Sequence, residues 1–448
     1  MNLIDSAIRA NNRLKFKFPY DIKDWINNKK MVMENYHKHT TWSDFIQIDS
    51  ATSIEELMKQ SENLGAKMYF STEHGYPGEW MNCYDICKKN NDKLKFRYGA
   101  EVYWVKDINF EKTETYTDKK GIEKTRTVKD NANCHMVLVG RTYNAIRKLN
   151  YIISCAHVDG FYYKPRIDLN MLFTLGPEDV YITSACLAGW KYDDAPEIWL
   201  KIWQHFGDSF FLEYQTHNTP RQKEINQKIY EMSQKYGIQT IIGLDTHYID
   251  DQDCTKRDNL LKRKGIHYDD EDSWYMDYPD GSEVLKRMID QGIVPEEDII
   301  YSMMNTHVFL EGCEDIVLDT DFKIPILPKY SNLSYEERCD ELSRLLRNKY
   351  QEEEIRDEQR KEAIEYEFGE IKNSGCADYF LDNYTLVDLA IKKYGGQLTT
   401  TSRGSASSYY ISKLLGFTTL DRFEAEVPIF PERFITKDRI LNSHQMPD

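Results

Sequence analysis

The chain has 448 residues, 41% of them hydrophobic, a formal net charge of −16 and nine cysteines. That length allows two or three domains at ~150 residues each, and 31 tyrosines with 19 phenylalanines argue against a disordered chain. No apolar run nears the ~18 residues of a membrane span, Met1–Lys30 does not read as a secretory signal, and the cysteines follow no framework spacing, so a cytoplasmic protein with reduced thiols is expected.

From residue 31 short apolar runs alternate with helical patterns. The run Met31–Tyr36 ends at His37-Lys38-His39. Ser53 to Glu56 spells a capping box opening a helix that Gly65 closes. A strand is predicted over Lys67–Ser71, then a helix, then two apolar runs, Leu94–Tyr98 and Glu101–Val105. Strands are predicted over His135–Gly140, Asp179–Ser184 and Gln239–Leu244, with helices over Tyr143–His157 and Gln222–Tyr236. This alternation argues for a mostly parallel α/β domain, open or closed into a barrel. The Thr-rich stretch 111–130, centred on Lys119-Lys120-Gly121, predicts an exposed hairpin. Past residue 265 the alternation fades, and Pro325 and Pro328 mark a boundary. Helices over Ser334–Lys349 and Glu354–Asn373 follow, then a strand (Gln397–Thr401), a glycine-serine loop and a helix (Ser408–Leu415).

Two histidines two apart on a strand share a face, so His37 and His39 can reach one ion. Asp245 and His247 repeat that geometry at the end of another strand. His74, Glu101 and Cys186 stand at or just beyond other strand ends, where functional groups converge in βα folds. A lone His or Asp is ordinarily a satisfied polar residue, but two same-face pairs with His74 and Glu101 beside them argue against coincidence. Histidine and carboxylate donors suit zinc, manganese or iron rather than calcium. Cations so held acidify water and offset charge on a phosphate under attack. A second signal is Ser402-Arg403-Gly404-Ser405 between a predicted strand and helix. There Gly404 lets backbone amides approach an anion, Arg403 offers a forked cation, and the helix N-terminus favours phosphate. The chain is acidic overall, but residues 391–448 carry eight Lys/Arg against six Asp/Glu, the local sign a phosphate partner requires.

The segments YHKHTTWSDFIQIDS (36–50), STEHG (71–75), GAEVY (99–103), CHMVLVG (134–140), SACLAG (184–189) and LDTHY (244–248) occur in the order expected of a PHP metal-dependent phosphoesterase domain. With GFYYKPRID (160–168), they resemble the head of the C-family DNA polymerase III alpha subunit rather than a stand-alone phosphatase. The resemblance implies a distorted seven-stranded βα barrel with a trinuclear site held by His37, His39, Asp49, His74, Glu101, His135, Cys186, Asp245 and His247. Asp44 competes with Asp49 for its place, and Cys186 is either a thiolate ligand or a buried thiol. Asp245, His247 and Glu101 are the implied catalytic groups, and 3′→5′ trimming of a primer end the implied activity.

CADYFL (376–381), KLLGFT (413–418), PERFIT (431–436) and QMPD (445–448) resemble the start of the same family's α+β polymerase palm. That implies a triphosphate site of Arg403, Gly404 and Ser405 with Arg433 nearby, and makes Asp448 the first carboxylate of a PDxDxD motif. The expected organisation is an N-terminal extension (1–30), the PHP domain (31–265, hairpin 108–131), a connecting segment (266–330) and the partial palm (331–448). The complete polymerase would use Mg²⁺, dNTP, primer–template DNA, a sliding clamp and its remaining C-terminal part, on the same or a separate polypeptide. A truncation, a split gene and a half that needs a second chain all fit, and the isolated chain is not expected to extend primers. Two alternatives are a stand-alone PHP phosphatase for a small phosphomonoester and a non-catalytic, metal-stabilised replisome scaffold. No membrane partner is expected.

Overall fold

The computed structural model describes residues 2–27, 31–267, 274–319, 323–397 and 404–443. By its internal packing the chain divides into two compact units, Met1–Val317 and Leu318–Asp448.

The first unit is built on β1 (Met68–Ser71), β2 (Lys95–Val105), β5 (Cys134–Gly140), β6 (Arg166–Asp168), β7 (Val180–Thr183), β8 (Phe210–Tyr214) and β9 (Thr240–Ile242), with β3 (Glu111–Thr117) and β4 (Glu123–Lys129) forming a separate hairpin. The sheet order is β1-β2-β5-β7-β8-β9, and β6 pairs with the far end of β2. Every pair is parallel except those of β5, which runs against both β2 and β7. That reversal brings the start of β5, and with it His135, to the end where the parallel strands finish. The two apolar runs expected around residues 94–105 are one continuous strand. Gly99 permits it, because a Cβ there would stand 2.6 Å from the Leu138 carbonyl oxygen on β5.

Beyond β9, Lys38 pairs with Thr246 in parallel. The His39 amide donates to Thr246 O at 2.8 Å and the Thr246 amide to His37 O at 3.2 Å. On the opposite side the Thr72 hydroxyl donates to Tyr36 O at 2.8 Å. Segment 36–39 thereby links the edge beyond β9 to the end of β1, curling the seven-stranded sheet into a distorted half-barrel. Alternation at this seam turns His37 and His39 inward and seats the Lys38 ammonium over the Tyr69 ring at 3.5 Å.

Helices cover the outside. Ile54–Leu64 opens on the Ser53–Glu56 capping box and closes at Gly65 in the left-handed conformation, φ 84°. Tyr143–Val158, Ala195–Phe206 and Pro220–Tyr236 follow. Residues past 265 add Gly281–Gln291, Glu296–Asn305 and Val308–Gly312 to this unit, and Phe309 packs with Tyr36, Phe70 and Val137. The N-terminal helix Leu3–Asn11 is tied to Glu296–Asn305 by Arg9–Glu297 (2.6 Å), and Arg13, just beyond it, pairs with Asp298 (2.7 Å). The β3–β4 hairpin is paired in register from Glu111↔Lys129 to Thr117↔Glu123 and mostly exposed.

Among its described residues the second unit is helical: Tyr335–Glu352, Glu358–Asn373, Ala377–Tyr394, Tyr410–Leu414 and Lys437–Ser443. Its core gathers Leu342, Ile371, Phe380, Tyr409 and Phe434, side chains worth about 1.5–3 kcal/mol each when fully buried. A buried Arg338–Asp378 fork (2.6 and 3.0 Å) joins two of its helices. Residues 398–401 of the expected strand lie outside the described residues. The helix expected over Ser408–Leu415 is a 3₁₀ turn, Ala406–Ser408, and a short helix, Tyr410–Leu414. No described helix is long and apolar enough to cross a membrane.

Candidate metal centre

The nine residues nominated in the first unit converge on one cleft. Glu101, near the middle of β2, stands at its centre. Its Oε1 lies 3.1 Å from His37 Nε2 and 2.8 Å from His135 Nδ1, and its Oε2 lies 2.6 Å from His74 Nδ1 and 3.5 Å from His39 Nε2. His74 is brought there because the chain beyond β1 pairs with Glu101 itself. Asp245 Oδ1 lies 3.1 Å from His39 Nε2 and 3.2 Å from His37 Nε2. Its backbone holds a left-handed φ of 48°, a strained setting for a residue with a side chain and one that clusters at functional sites. Asp49 Oδ2 lies 2.8 Å from His74 Nε2 and 3.3 Å from His247 Nε2. Cys186 Sγ is 3.5 Å from His135 Nδ1.

Asp44, the rival of Asp49, does different work. Its carboxylate accepts the amides of Asp49 and Ser50 at 3.0 and 3.2 Å, shaping the loop that presents Asp49. Three supporting residues escaped sequence analysis. Glu213 on β8 accepts from His37 Nδ1 at 2.7 Å, Tyr36 at 2.8 Å and Thr183 at 2.6 Å. Ser43 stands 3.0 Å from His39 Nδ1 and gives its own proton to Glu73 at 2.6 Å. The signal for Glu213 was a carboxylate inside the apolar run Phe210–Tyr214, with Gly243 opposite, where a Cβ would strike the Glu213 side chain.

These supports fix the rings. Glu213 holds the His37 Nδ1 proton, Ser43 the His39 Nδ1 proton, and the Asp245 carbonyl the His247 Nδ1 proton at 2.7 Å. Each Nε2 is thereby turned inward, the outer hydrogen bonding that metal-ligating histidines ordinarily show. Burial opposes charge on His74, yet Asp49 and Glu101 raise its pKa to about 10. Burial also opposes charge on His37, but Glu213, Asp245 and Glu101 hold it well above the usual imidazole range. Burial and the neighbouring His74 push His39 down to about 3. A neutral His39 whose Nδ1 carries the proton aims a lone pair at carboxylate oxygens. Glu101 and Asp49 stay ionised despite burial, chiefly through His135 and His74 respectively. Burial pushes the Cys186 thiol well up.

The donors fit divalent cations. Three sets lie with their donor atoms within 4.8 Å of one another: His39, His74, His247; His37, His39, Glu101, Asp245; and His74, Glu101, His135. Asp49 Oδ1 is buried without a hydrogen-bond partner, a costly condition that a cation would relieve. Above the donors opens a cleft of about 270 Å³, walled by Gln47, Asn133, Lys191 and Trp274 among others.

In the second unit Arg403 and Asp448 lie outside the described residues. Gly404 is left-handed, φ 71°, and the Ser405 hydroxyl is buried without a partner. The turn carrying Arg433 neighbours the Ala406–Ser408 turn. The amides that open the following helix, Tyr410 and Ile411, donate to Glu367 at 3.0 and 2.8 Å, so they are already engaged.

Half-barrel and donor cluster together define a PHP domain, and the PHP domain family model matches residues 35–217. The model of the bacterial DNA polymerase III alpha NTPase domain matches residues 337–448. The chain is 27% identical to the DNA polymerase III subunit alpha of Aquifex aeolicus over 433 residues, 92% of this chain and 35% of that protein. It is 27% identical to that of Helicobacter pylori strain J99 (92% and 34%) and 24% identical to that of Borreliella burgdorferi (91% and 34%). Over 92% of its length the chain is thus similar to bacterial DNA polymerase III alpha subunits; it spans about a third of the length of these relatives and is consistent with their N-terminal part.

Proposed function

We propose that the first unit is a metal-dependent phosphodiesterase that trims DNA 3′→5′, and that the chain is the front part of a replicative DNA polymerase acting in the cytoplasm. The observation that carries this reading is the sharing of Glu101, His39 and His74 among three donor sets in one cleft. The cations are zinc, manganese or iron by the chemistry of the donors, and they supply charge neutralisation and an acidified water. His37, His39, Asp49, His74, Glu101, His135, Cys186, Asp245 and His247 hold them. Glu213 and Ser43 keep two of the imidazoles aimed inward, and burial of the donors keeps bulk water from competing. The rest of the polymerase supplies the remaining palm carboxylates, on which Mg²⁺, dNTP, primer–template and sliding-clamp function depend. Arg403, Gly404, Ser405, Arg433 and Asp448 are this chain's share of that second site.

The test is trimming of a 5′-labelled primer–template by pure protein with Mn²⁺ or Zn²⁺, beside Asp245→Asn. Stepwise 3′ shortening by the wild type, with at least a ~100-fold loss in the variant, is expected. An intact primer with metal-loaded wild-type protein would overturn it.

A further inference from the structure

Between β2 and β5, the strands that carry Glu101 and His135, the chain leaves the half-barrel as the β3–β4 hairpin. Its root is fixed beside the cleft. Tyr192 donates its hydroxyl proton to Asp130 at 2.6 Å, the Lys191 ammonium donates to the Asn133 carbonyl oxygen at 3.2 Å, and Asn133 forms part of the cleft wall. Two strands of seven residues carry the tip roughly 20 Å from that root. The tip is built by Asp118, whose carboxylate accepts the Lys120 and Ile122 amides at 2.8 and 3.1 Å, and by Gly121 in the left-handed conformation, φ 77°.

The two faces of the hairpin differ. On one, Lys112 lies opposite Val128, Glu114 opposite Arg126 and Tyr116 opposite Lys124. That face is neutralised within the hairpin: Glu114 pairs with Lys112 at 3.3 Å and with Arg126 at 3.4 Å, and Lys124 pairs with Asp118 at 2.8 Å. The other face sets Thr113 against Thr127 and Thr115 against Thr125, between the Glu111–Lys129 and Thr117–Glu123 pairs. All five threonines are exposed, and none of their hydroxyls meets another described residue. The same holds for the ammonium groups of Lys119 and Lys120 at the tip. Residues 119–129 hold five Lys/Arg against one Glu, in a chain whose net charge is −16.

A lone two-stranded hairpin is only marginally stable, and this one is exposed along both strands, so what it offers is surface. A two-stranded ribbon is one of the elements that the major groove of B-form DNA, ~12 Å wide, admits. Lysines bring the charge that phosphates require, and threonine hydroxyls donate to phosphate oxygens and base edges. A protein partner suits the hairpin less. Interface centres are rich in aromatic anchors, the threonine face carries no ring, and lysines on exposed strands oppose the addition of a further strand.

We propose that the β3–β4 hairpin is an arm that lies in a groove of duplex DNA, with Lys119 and Lys120 meeting phosphates and the threonine face turned into the groove. This rests on the reading of the chain as part of a DNA polymerase, and adds to it a hold on paired DNA that needs no metal.

The experiment is fluorescence anisotropy of the full chain without metal, with a labelled blunt DNA duplex, over a series of salt concentrations. Hydrolysis of a small phosphodiester by the wild type with Mn²⁺ reports on the cleft separately. Lys119→Ala combined with Lys120→Ala is expected to weaken duplex binding about tenfold and to flatten the slope of log affinity against log salt by about 1.8, the share of two phosphates. Thr115→Val combined with Thr125→Val keeps the branched side chains that strands favour and should weaken binding about fivefold. No duplex binding by the wild type, or wild-type binding by both variants, overturns the arm. Loss in the lysine variant alone overturns the groove placement. If the wild type hydrolyses the diester while both variants bind duplex unchanged, only the arm has failed. If both variants lose duplex binding while the wild type hydrolyses nothing, the phosphodiesterase reading has failed and the arm stands.

Discussion

The two units hold their candidate sites in opposite ways. In the half-barrel, all the functional side chains but Asp49, which a loop presents, come from strands and strand-like segments or the residues just beyond them, and a further layer of hydrogen bonds fixes the rings of His37, His39 and His247. In the C-terminal unit, Gly404, Ser405 and Arg433 sit in turns, and a carboxylate has taken the nearest helix amides. Sheet pairing delivers groups from distant parts of the chain at fixed spacing, whereas turns between helices deliver what their loops allow. A site built on the first scaffold is pre-organised. One built on the second depends on what packs around it.

The largest effect that tests this contrast is expected from Glu213→Gln. The amide keeps the shape but must set its NH₂ against a donor among His37, Tyr36 and Thr183, disturbing the ring that presents Nε2. Hydrolysis or metal affinity should fall about 10–100-fold, measured by trimming assays and metal titration, with the fold retained by circular dichroism. Unchanged values would show that the barrel does not rely on this outer layer.

A smaller effect concerns protons. His74 in the metal-free protein has its pKa raised to about 10. A cation must displace that proton, so apparent metal affinity should rise with pH between 6 and 8, by up to about tenfold per pH unit for each proton released. The metal-free protein should show the opposite trend. Stability from the raised His74 is fully present below its unfolded pKa of about 6.5 and is lost as pH climbs toward about 10. Calorimetry with and without metal checks both signs, and a pH-independent affinity would remove His74 from the donor set.

The smallest effect belongs to the other unit. Glu367→Ala frees the Tyr410 and Ile411 amides and leaves Arg422 without its partner at 3.1 Å. A loss of about 1–2 kcal/mol, the usual worth of a helix cap, is expected in the denaturation of the C-terminal unit. Phosphodiester hydrolysis should not change. A drop in hydrolysis would mean that the two sites are coupled.

Much of the half-barrel was legible because its signals are local. The capping box at Ser53–Glu56, the strand of Cys134–Gly140 and the helix of Tyr143–Val158 follow from neighbouring residues. The strand Phe210–Tyr214 was missed because a short apolar run without alternation resembles a buried helix segment. The helix Ala377–Tyr394 was missed because only its first turn is buried in the core, leaving a weak apolar stripe beyond.

The sequence by itself determined the chemistry on offer: two His/Asp pairs at strand spacing, further His, Glu and Cys at strand ends, and a glycine-serine turn after the helices. Those depend on spacings of two to four residues, which backbone geometry fixes without help. Tertiary structure alone decided which groups meet. It chose Asp49 for the cluster and Asp44 for the loop, reversed β5 so that His135 faces Glu101, and set Glu213 behind His37. It also closed Glu367 onto the amides that a phosphate would have used. Apart from the local Asp44–Asp49 contact, those pairings join residues 25 to 176 positions apart. Only burial of the whole core offsets the chain entropy of bringing them together.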